Sequence, residues 1–404
     1  RMEHSSALVK ASSMEMLTEA AQARIESQGE NQALGIRQQF MDAYQYGHGF
    51  SRQVLFLRDQ AEKRFLDAFD LREDLTRQVK SALQANPELL GLSLVFEPNG
   101  LDGKDELFAG QAELGSNDKG RFALYWSQPT PGKVTSMALP EKDMADTSTG
   151  PSGEAANAWF TCPRTTLKPC VIEPYFYEID GQNVLMTSIV FPLMVNGKVI
   201  ASLSVDINLN SLQAVSLGAS KKLYDGQTHV SIISPAGLLA GYSPDASKLS
   251  QRLDAVDKAS GAELLRMLGA SSKTASLHSD QQLKVLAPFQ PIPGGKSWGV
   301  LLDVPENVLV GPAEALKKQL DESNTAGTLV ELGLGGLAAL LGLILVWLMA
   351  RSVTRPILGV AHMLEDIASG EGDLTRRLAY DKQDELGQLA GWFNRFLDKL
   401  QPVI

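Results

Sequence analysis

The sequence has few of the residues from which catalytic metal sites and nucleic-acid-binding surfaces are built. Its 404 residues include only two cysteines and five scattered histidines, with no HExxH motif. It also lacks an excess of basic residues, because the formal net charge is −10. A nucleic-acid-binding protein needs a basic surface. These absences argue against a metalloenzyme and against a nucleic-acid-binding protein, and we predict no cofactor and no metal site.

The sequence does contain one long apolar run, Leu332–Ala350, which carries no charged residue. Its length suits a helix that crosses the ~30 Å hydrocarbon core of a bilayer. Arg351 follows directly, and basic residues mark the cytoplasmic side of a span. A buried core helix would be shorter, and a signal peptide would lie at the start of the chain. We therefore predict a membrane helix over 326–350, with residues 1–325 outside and 351–404 in the cytoplasm.

The two cysteines, Cys162 and Cys170, lie close together on the predicted external side. In an oxidising compartment such a pair most simply forms a disulfide. A zinc site is the alternative, but it would need further ligands nearby. The chain begins at Arg1 without an export signal, so we expect a first membrane helix to precede it. We also expect further sequence after Ile404.

Apolar periodicity changes from helical to strand-like along the external part. Residues 5–47 form one long amphipathic helical pattern, which we expect Gly47–Gly49 to end. After further helical segments, short β-branched and aromatic runs alternate with turn residues, and Asn196-Gly197 predicts a two-residue hairpin. A smaller copy of this pattern occupies 230–304. The patterns predict an α+β fold with a long helix and two antiparallel sheets.

The cytoplasmic segment contains two helical patterns with apolar residues at heptad-like spacing, separated at Gly370–Gly372. We expect Pro356 in an early turn of the first helix, where proline costs no hydrogen bond. Asp384 and Glu385 open the second helix, where negative charge is favourable. These marks resemble a HAMP linker, the signal-relay module of bacterial receptors; a generic coiled coil is the alternative. The resemblance implies a four-helix bundle in a homodimer, with Pro356 and Glu385 in the relay.

Four external segments resemble the double Cache (dCache) sensor domain of methyl-accepting chemotaxis receptors. They are LVFEPNGLDGKD (94–105), WFTCPRTTLKPCVIEPYFY (159–177), VLMTSIVFPL (184–193) and ASLSVDINLNSL (201–212). The resemblance covers residues 5–325 and is strongest with amino-acid, amine and polyamine receptors. It implies two PAS-like modules on a long N-terminal helix. We assign 1–50 to the stalk helix, 51–215 to a membrane-distal module, 216–325 to a membrane-proximal module with its connecting helix, 326–350 to the membrane helix and 351–404 to HAMP.

The resemblance also implies a ligand site, with departures from the family pattern. Amino-acid receptors of this family hold the ligand carboxylate with an arginine, one spacer and Trp-Tyr; residues 157–160 read NAWF here, so the arginine is absent. The family's ammonium-binding aspartate falls on Asp206 and its Pro-Tyr on Pro174-Tyr175, whereas Tyr177 replaces a second aspartate. A carboxylate ligand loses its bidentate partner, but an ammonium keeps Asp206 and aromatic faces. The pattern therefore predicts a small cationic amine: a polyamine, a biogenic amine or a quaternary amine.

The predicted ligand-binding residues are Asp206, Tyr175, Trp159, Tyr177, Phe160, Tyr125, Asp146 and Asp143, with Glu154 as a further loop carboxylate. Strand aromatics such as Tyr125 more often belong to the core, and loop carboxylates are more often simply solvated. We expect a non-enzymatic homodimer in the bacterial inner membrane. A cytoplasmic coupling protein and a histidine kinase are its expected partners, contacted through a region beyond residue 404.

Three alternatives remain at this point: an amino-acid receptor, a sensor histidine kinase or cyclic-dinucleotide enzyme with the same sensor, and an ectoenzyme. The run PGGKS (293–297) resembles the end of a phosphate-binding loop. Its first glycine is missing and a strand pattern follows, so we interpret it as a hairpin turn.

Overall fold

The computed structural model describes residues 2–369 and 374–401. Side chains are not described for residues 2–11, 14, 312, 313, 320–328, 367 and 368. By their internal contacts the residues form two compact units, Arg1–Glu314 and Ala315–Ile404. The predicted break at Gly370–Gly372 lies outside the described residues.

The first unit begins with two helices, α1 (Met2–Lys63) and α2 (Ala68–Gln84). The first sheet contains β1 (Gly91–Phe96), β2 (Ala123–Ser127), β3 (Thr135–Ala138), β4 (Cys170–Val171), β5 (Tyr175–Ile179), β6 (Gln182–Val195) and β7 (Lys198–Asn208). Its order is β3-β2-β1-β7-β6-β4, with β5 also paired to β6. Two short helices, α3 (Glu141–Met144) and α4 (Ala158–Thr166), lie in the β3–β4 connection, and α5 (Leu209–Lys222) follows β7.

The second sheet is smaller and lies within residues 216–325, the segment predicted as the proximal module. Its elements are β8 (His229–Ile233), β9 (Leu239–Tyr242), α6 (Leu253–Val256), α7 (Gly261–Ala270), β10 (Ala275–Ser279), β11 (Gln282–Phe289) and β12 (Trp298–Pro305). The strands pair antiparallel in the order β10-β11-β12-β8-β9. The predicted α+β fold with two sheets behind a long helix is therefore confirmed.

The predicted Asn-Gly hairpin joins β6 and β7. Val195 pairs with Lys198, and Asn196 and Gly197 have φ angles of 51° and 76°. Positive φ at both central residues is the requirement of a type I′ turn. The PGGKS run lies in the β11–β12 connection, as predicted. The overlapping run Gly295–Gly299 has the spacing of a hydrolase GxSxG motif, but it leads into a strand and not into the helix of a nucleophile elbow.

Helix α1 is continuous through Gly47 and Gly49, so the predicted break there is wrong. Gly47 is instead a point of close approach between α1 and the first sheet. A Cβ at this position would lie 2.3 Å from Cε2 of Phe191 and 2.8 Å from Cγ2 of Val205. Elsewhere α1 packs against the second sheet, where the rings of Phe40 and Trp298 are 5.2 Å apart. One helix thus supplies part of the core for both modules.

A second long helix, α8 (Glu306–Ala368), contains the whole apolar run. Among the described residues it is the one helix long and apolar enough to cross a membrane, and an 18-residue window within Leu329–Asp366 has a mean hydropathy of 2.3. Because α8 is continuous, Pro356 lies in its interior, and the expected position in an early turn is wrong. Proline has no N–H to donate to the carbonyl of Ser352, so this point of the helix lacks one backbone hydrogen bond.

The final described helix, α9 (Glu385–Leu400), begins where the acidic pair predicts. Asp384 is its N-cap, and Oδ1 of Asp384 accepts a hydrogen bond from the Gly387 amide at 2.8 Å. A Cβ at Gly387 would lie 1.8 Å from the Lys382 carbonyl oxygen, so no other residue fits there without a shift of the backbone. The run Asp384-Glu385-Leu386-Gly387 thus sets the start of α9 by both capping and steric fit.

Candidate functional site

A small cavity lies on the face of the first sheet that points away from α1. It holds about 240 Å³ of empty space, part of which is open to solvent. Its lining consists of Ser93, Tyr125, Leu139, Trp159, Tyr175, Tyr177, Met186, Ser204 and Asp206. Five of the eight predicted ligand-binding residues are in this set, and Asp206 is the one carboxylate in it.

Asp206 lies near the end of β7, the central strand, between Gly91 of β1 and Ser188 of β6. Only 3% of the residue is exposed. Its Oδ1 accepts hydrogen bonds from Oγ of Ser188 at 2.7 Å and from Oγ of Ser204. The Tyr175 hydroxyl lies 2.8 Å from the same Ser188 Oγ. A chain of hydroxyls therefore connects the carboxylate to the aromatic wall.

The Asp206 carboxylate has no basic partner in the part of the chain that the structure describes. Burial raises its pKa above the usual 3.8, although the nearby hydroxyls of Ser204, Ser188 and Tyr125 act in the opposite direction. An ionised carboxylate in a buried site is costly unless a cation pairs with it. A cation in the cavity would supply the missing partner of this carboxylate.

Aromatic rings form the wall around this carboxylate. Trp159 lies on α4, Tyr175 and Tyr177 project from β5, and Tyr125 lies on β2. The rings of Tyr125 and Tyr177 meet edge to face with centroids 6.0 Å apart. The hydroxyl of Tyr125 faces Asp206 without a well-formed hydrogen bond to any described group. Faces of tryptophan and tyrosine attract cations, so the wall complements the charge of the carboxylate.

One disulfide and one side-chain hydrogen bond hold α4 in place. Cys162 and Cys170 form the predicted disulfide, with Cα atoms 6.4 Å apart, which fastens α4 to β4. At the start of α4, Nδ2 of Asn157 donates to the Met144 carbonyl at 2.8 Å. The helix that carries Trp159 is therefore fixed at its start and at its middle.

Three predicted ligand-binding residues do not line the cavity. Phe160 lies under the Arg164 guanidinium at 4.5 Å from the ring centroid. Asp146 is exposed and accepts hydrogen bonds from the amide and the hydroxyl of Ser148. Asp143 contacts the wall indirectly, because its Oδ2 accepts a hydrogen bond from the Tyr177 hydroxyl at 2.7 Å. Asp143 thus orients one ring of the wall from behind.

The lining also contains residues that sequence reasoning missed, of which the serine hydroxyls matter most. Ser93 and Ser204 line the cavity, and Ser188 lies beside Asp206 on the next strand; the three serines occupy three adjacent strands. A buried serine inside an apolar strand, as in GLSLVF and MTSIVF, was the available signal. Knowing that Ser188 and Ser204 meet one carboxylate requires the strand register, which the sequence does not show.

Gly91 is a further missed residue, and it provides the space for Tyr125. A Cβ on Gly91 would lie 2.6 Å from the Tyr125 hydroxyl oxygen and from its Cε2. We expect Gly91→Ala to displace the Tyr125 ring and to weaken ligand binding about tenfold, which corresponds to about 1.4 kcal/mol. Isothermal titration of the variant measures this, with Gly49→Ala as the control because no atom lies within 4 Å of a Cβ there. Unchanged affinity in Gly91→Ala would show that the Tyr125 position is not used.

One contact joins this site to the proximal module. Glu173 lies directly before Pro174-Tyr175, and its Oε1 accepts a hydrogen bond from the Ala236 amide in the β8–β9 turn at 2.9 Å. The Glu173 amide donates to Oε2 of Glu154 at 3.0 Å. Burial raises the pKa of both carboxyl groups. Glu173 therefore connects the segment just before β5 to the proximal module through a buried side chain.

No group of three or more histidine, cysteine or acidic side chains suited to a metal ion occurs among the described residues. The polar groups of the cavity are hydroxyls, the indole N–H of Trp159 and one carboxylate, with no thiol or imidazole. Their chemistry suits the binding of a small organic cation.

Two protein-family models match separate parts of the chain, one in the sensor region and one in the predicted linker. The family model for the methyl-accepting chemotaxis protein-like first PDC sensor domain matches residues 75–214, and the HAMP domain model matches residues 348–401. The first match covers every strand of the first sheet and all residues that line the cavity. The second covers the expected linker.

Two relatives extend the similarity beyond single domains. Methyl-accepting chemotaxis protein TlpQ of Pseudomonas aeruginosa is 62% identical over 404 residues, which is all of this chain and 56% of that protein. Methyl-accepting chemotaxis protein McpA of Pseudomonas putida is 26% identical over 248 residues, or 61% of this chain and 35% of that protein. The chain thus spans about half the length of TlpQ.

Solved structures support the fold of the external part. The periplasmic sensory domain of the Campylobacter jejuni chemoreceptor Tlp1 aligns with a TM-score of 0.57 at 13% identity, covering 73% of this chain and 99% of that one. The extracellular domain of the candidate histidine kinase mmHK1S-Z3 aligns with a TM-score of 0.58 at 20% identity, covering 74% and 98%. At these identities the likeness concerns architecture alone.

Proposed function

Since this chain belongs to the methyl-accepting chemotaxis receptors, with a sensor domain, an apolar helix and a HAMP domain, we propose that its distal module binds a small cationic amine. The ligand's ammonium pairs with Asp206, and the aromatic wall encloses its apolar part. The sensor and HAMP parts of this family are not enzymes, in agreement with the sequence prediction.

The observation that carries this proposal is the buried Asp206 carboxylate without a counter-ion. Three hydroxyl groups surround it, but hydroxyls do not neutralise a charge, and burial raises its pKa. An entering ammonium restores the missing charge and can donate to the carboxylate oxygens. Faces of Trp159 and Tyr177 supply cation–π attraction to the same group. The cavity volume limits the ligand to a small molecule.

An α-amino acid is the competing ligand class, and the arginines disfavour it. The carboxylate of such a ligand needs a cationic partner in the cavity. Arg164 is paired with Glu97 and stacked on Phe160, and Arg121 lies 3.2 Å from Glu141. Neither arginine lines the cavity. A ligand carboxylate beside the Asp206 carboxylate would therefore be repelled and unpaired.

We further propose that binding is relayed through the proximal module to α8 and HAMP in a homodimer of the bacterial inner membrane. The Glu173–Ala236 contact is the first step of this route. A ligand can only shift an equilibrium by its difference in affinity for two states. Closure of the wall on an ammonium supplies such a difference. We propose a cytoplasmic coupling protein and a histidine kinase as the partners that receive the signal.

Thermal unfolding of the full chain in detergent tests the ligand class. The probes are four molecules with the same four-carbon chain: butylammonium, 1,4-diaminobutane, 4-aminobutyrate and butyrate. We expect either cationic amine at 100 times its Kd to stabilise the folded state by about 2.7 kcal/mol. Butyrate should have no effect, and 4-aminobutyrate should act weakly, because its carboxylate finds no partner. A larger shift with 4-aminobutyrate or with butyrate than with both amines would overturn the proposal.

A further inference from the structure

The proximal module repeats the framework of the amine site at equivalent positions. In the distal module, Ser93 of β1 pairs with Tyr125 of β2. On its other side Ser93 pairs with Ser204 of β7, and Asp206 lies two residues after Ser204. In the proximal module, Ser231 pairs with Tyr242 in the same way, and Asp303 takes the place of Asp206. The strand orders β2-β1-β7-β6 and β9-β8-β12-β11 correspond.

The repeated residues also lie on equivalent faces. Asp206 faces the cavity, on the side of its sheet that points away from α1. In the proximal sheet, α1 packs against the face that carries Val285 and Leu302. Asp303 and Lys284 lie on the opposite face, one residue out of phase with these two. Tyr242 packs against the separate core on that opposite face. The serine, tyrosine and aspartate therefore recur with the same orientation.

The two copies differ at one decisive position. The strand beside Asp206 presents Ser188, whereas the strand beside Asp303 presents Lys284 at the same point of the register. Lys284 is only 5% exposed, and its Nζ lies 2.6 Å from Oδ2 of Asp303 and 3.2 Å from Oδ2 of Asp257. Burial alone would lower the pKa of Lys284, but the two carboxylates outweigh burial and raise it. The ammonium therefore stays charged inside the module.

We propose that the proximal module is a self-occupied copy of the amine site, in which the ammonium of Lys284 stands where a free primary amine would otherwise bind. Asp303 and Asp257 are its carboxylate partners, and Tyr242 is the aromatic neighbour. The module is consequently closed to free amines, and only the distal module can respond to them. Removal of the lysine side chain beyond Cβ uncovers a latent site for a primary alkylammonium.

The test uses the full chain with the substitution Asp206→Asn, dissolved in detergent, so that the distal site cannot contribute. Lys284→Ala is added to this background, and the probe is n-propylammonium, which replaces the atoms that the substitution removes. We expect Lys284→Ala to lower the thermal midpoint and saturating propylammonium to raise it again by about 2–4 °C. Propylammonium should not shift the parent with Lys284 intact. Propionate and 1-propanol should not shift either protein.

The matched control is Lys258→Ala, an exposed lysine of the same module, which should show no response to propylammonium. If Lys284→Ala does not fold unaided, the readout becomes recovery of folded protein after dilution from urea. Recovery with propylammonium and not with propionate supports the proposal. The proposal is wrong if propylammonium gives no selective shift or recovery of Lys284→Ala. It is also wrong if propylammonium has an equal effect on the protein with Lys284 present. Because Asp206→Asn removes the distal site, this outcome is independent of whether free amines bind there.

Discussion

Asp206→Asn should abolish amine binding and at the same time stabilise the protein without ligand. Loss of one partner from a buried ion pair costs about 3–5 kcal/mol, so the affinity for butylammonium should fall by about 100-fold or more. The stability of the ligand-free protein should rise, because asparagine removes a buried charge that has no counter-ion among the described residues. Calorimetric titration and thermal unfolding of the same samples measure the two effects.

The pH dependence of this stabilisation follows from the raised pKa of Asp206. Below pH 3.8 the carboxyl group is protonated in both folded and unfolded states, and wild type and Asp206→Asn should be equally stable. As the pH rises through the raised pKa of the folded state, wild type should lose stability relative to the variant. Amine affinity should rise over the same interval, since ionised Asp206 is the form that binds an ammonium.

Asp143→Asn is the matched control for this pair of effects. Its carboxylate accepts from Tyr177 but does not line the cavity. It should reduce affinity far less than Asp206→Asn. Full amine binding by Asp206→Asn would refute the assigned role, and so would an equal loss in both variants.

Arg72→Met should destabilise the distal module by about 3–5 kcal/mol, because it leaves two carboxylates buried without their cation. Arg72 of α2 is fully buried. Its guanidinium binds Asp102 through two nitrogens at 2.8 and 2.9 Å and Asp105 at 2.9 Å. It also donates to Oγ of Ser116 and to the Gly120 carbonyl. The variant should therefore loosen the whole segment from Asp102 to Gly120.

Urea unfolding followed by far-UV circular dichroism measures this loss. Arg77→Met is the control, since Arg77 is 65% exposed and pairs with Asp74 on the same helix, and such exposed pairs contribute about 0–1 kcal/mol. Arg72→Lys should recover little, because lysine cannot reproduce the forked contact with Asp102. Equal stability of the Arg72 and Arg77 variants would contradict this account of the network.

Local patterns with one physical solution were predictable from the sequence. Asn196-Gly197 between two apolar strands favours one type of turn, and Leu332–Ala350 favours the interior of a membrane. The cavity residues Trp159, Tyr175, Tyr177 and Asp206 came from the family resemblance, and the structure brings them together. Whether each contacts a ligand stays a prediction.

Features that depend on register or on partners in space were not predictable. Gly47 was taken for a helix break, because a sequence does not distinguish a flexible glycine from one that allows a neighbouring Phe191 to approach. Pro356 was placed in an early turn, because the sequence does not show that α8 runs on from the membrane segment. Helix α5 was missed, although Asn208 caps it with a hydrogen bond to the Asn210 amide. The match between Lys284 and Ser188 appears only after both sheets are aligned by strand pairing.

The most direct test of the central claim is a crystal structure of the external part bound to the amine that stabilises the full chain most. The account predicts the amine nitrogen within about 3.2 Å of an Asp206 carboxylate oxygen. It also predicts that the rings of Trp159 and Tyr177 lie against the ligand. An amine nitrogen held by Asp143 or Asp146 instead, or a ligand outside this cavity, would contradict it.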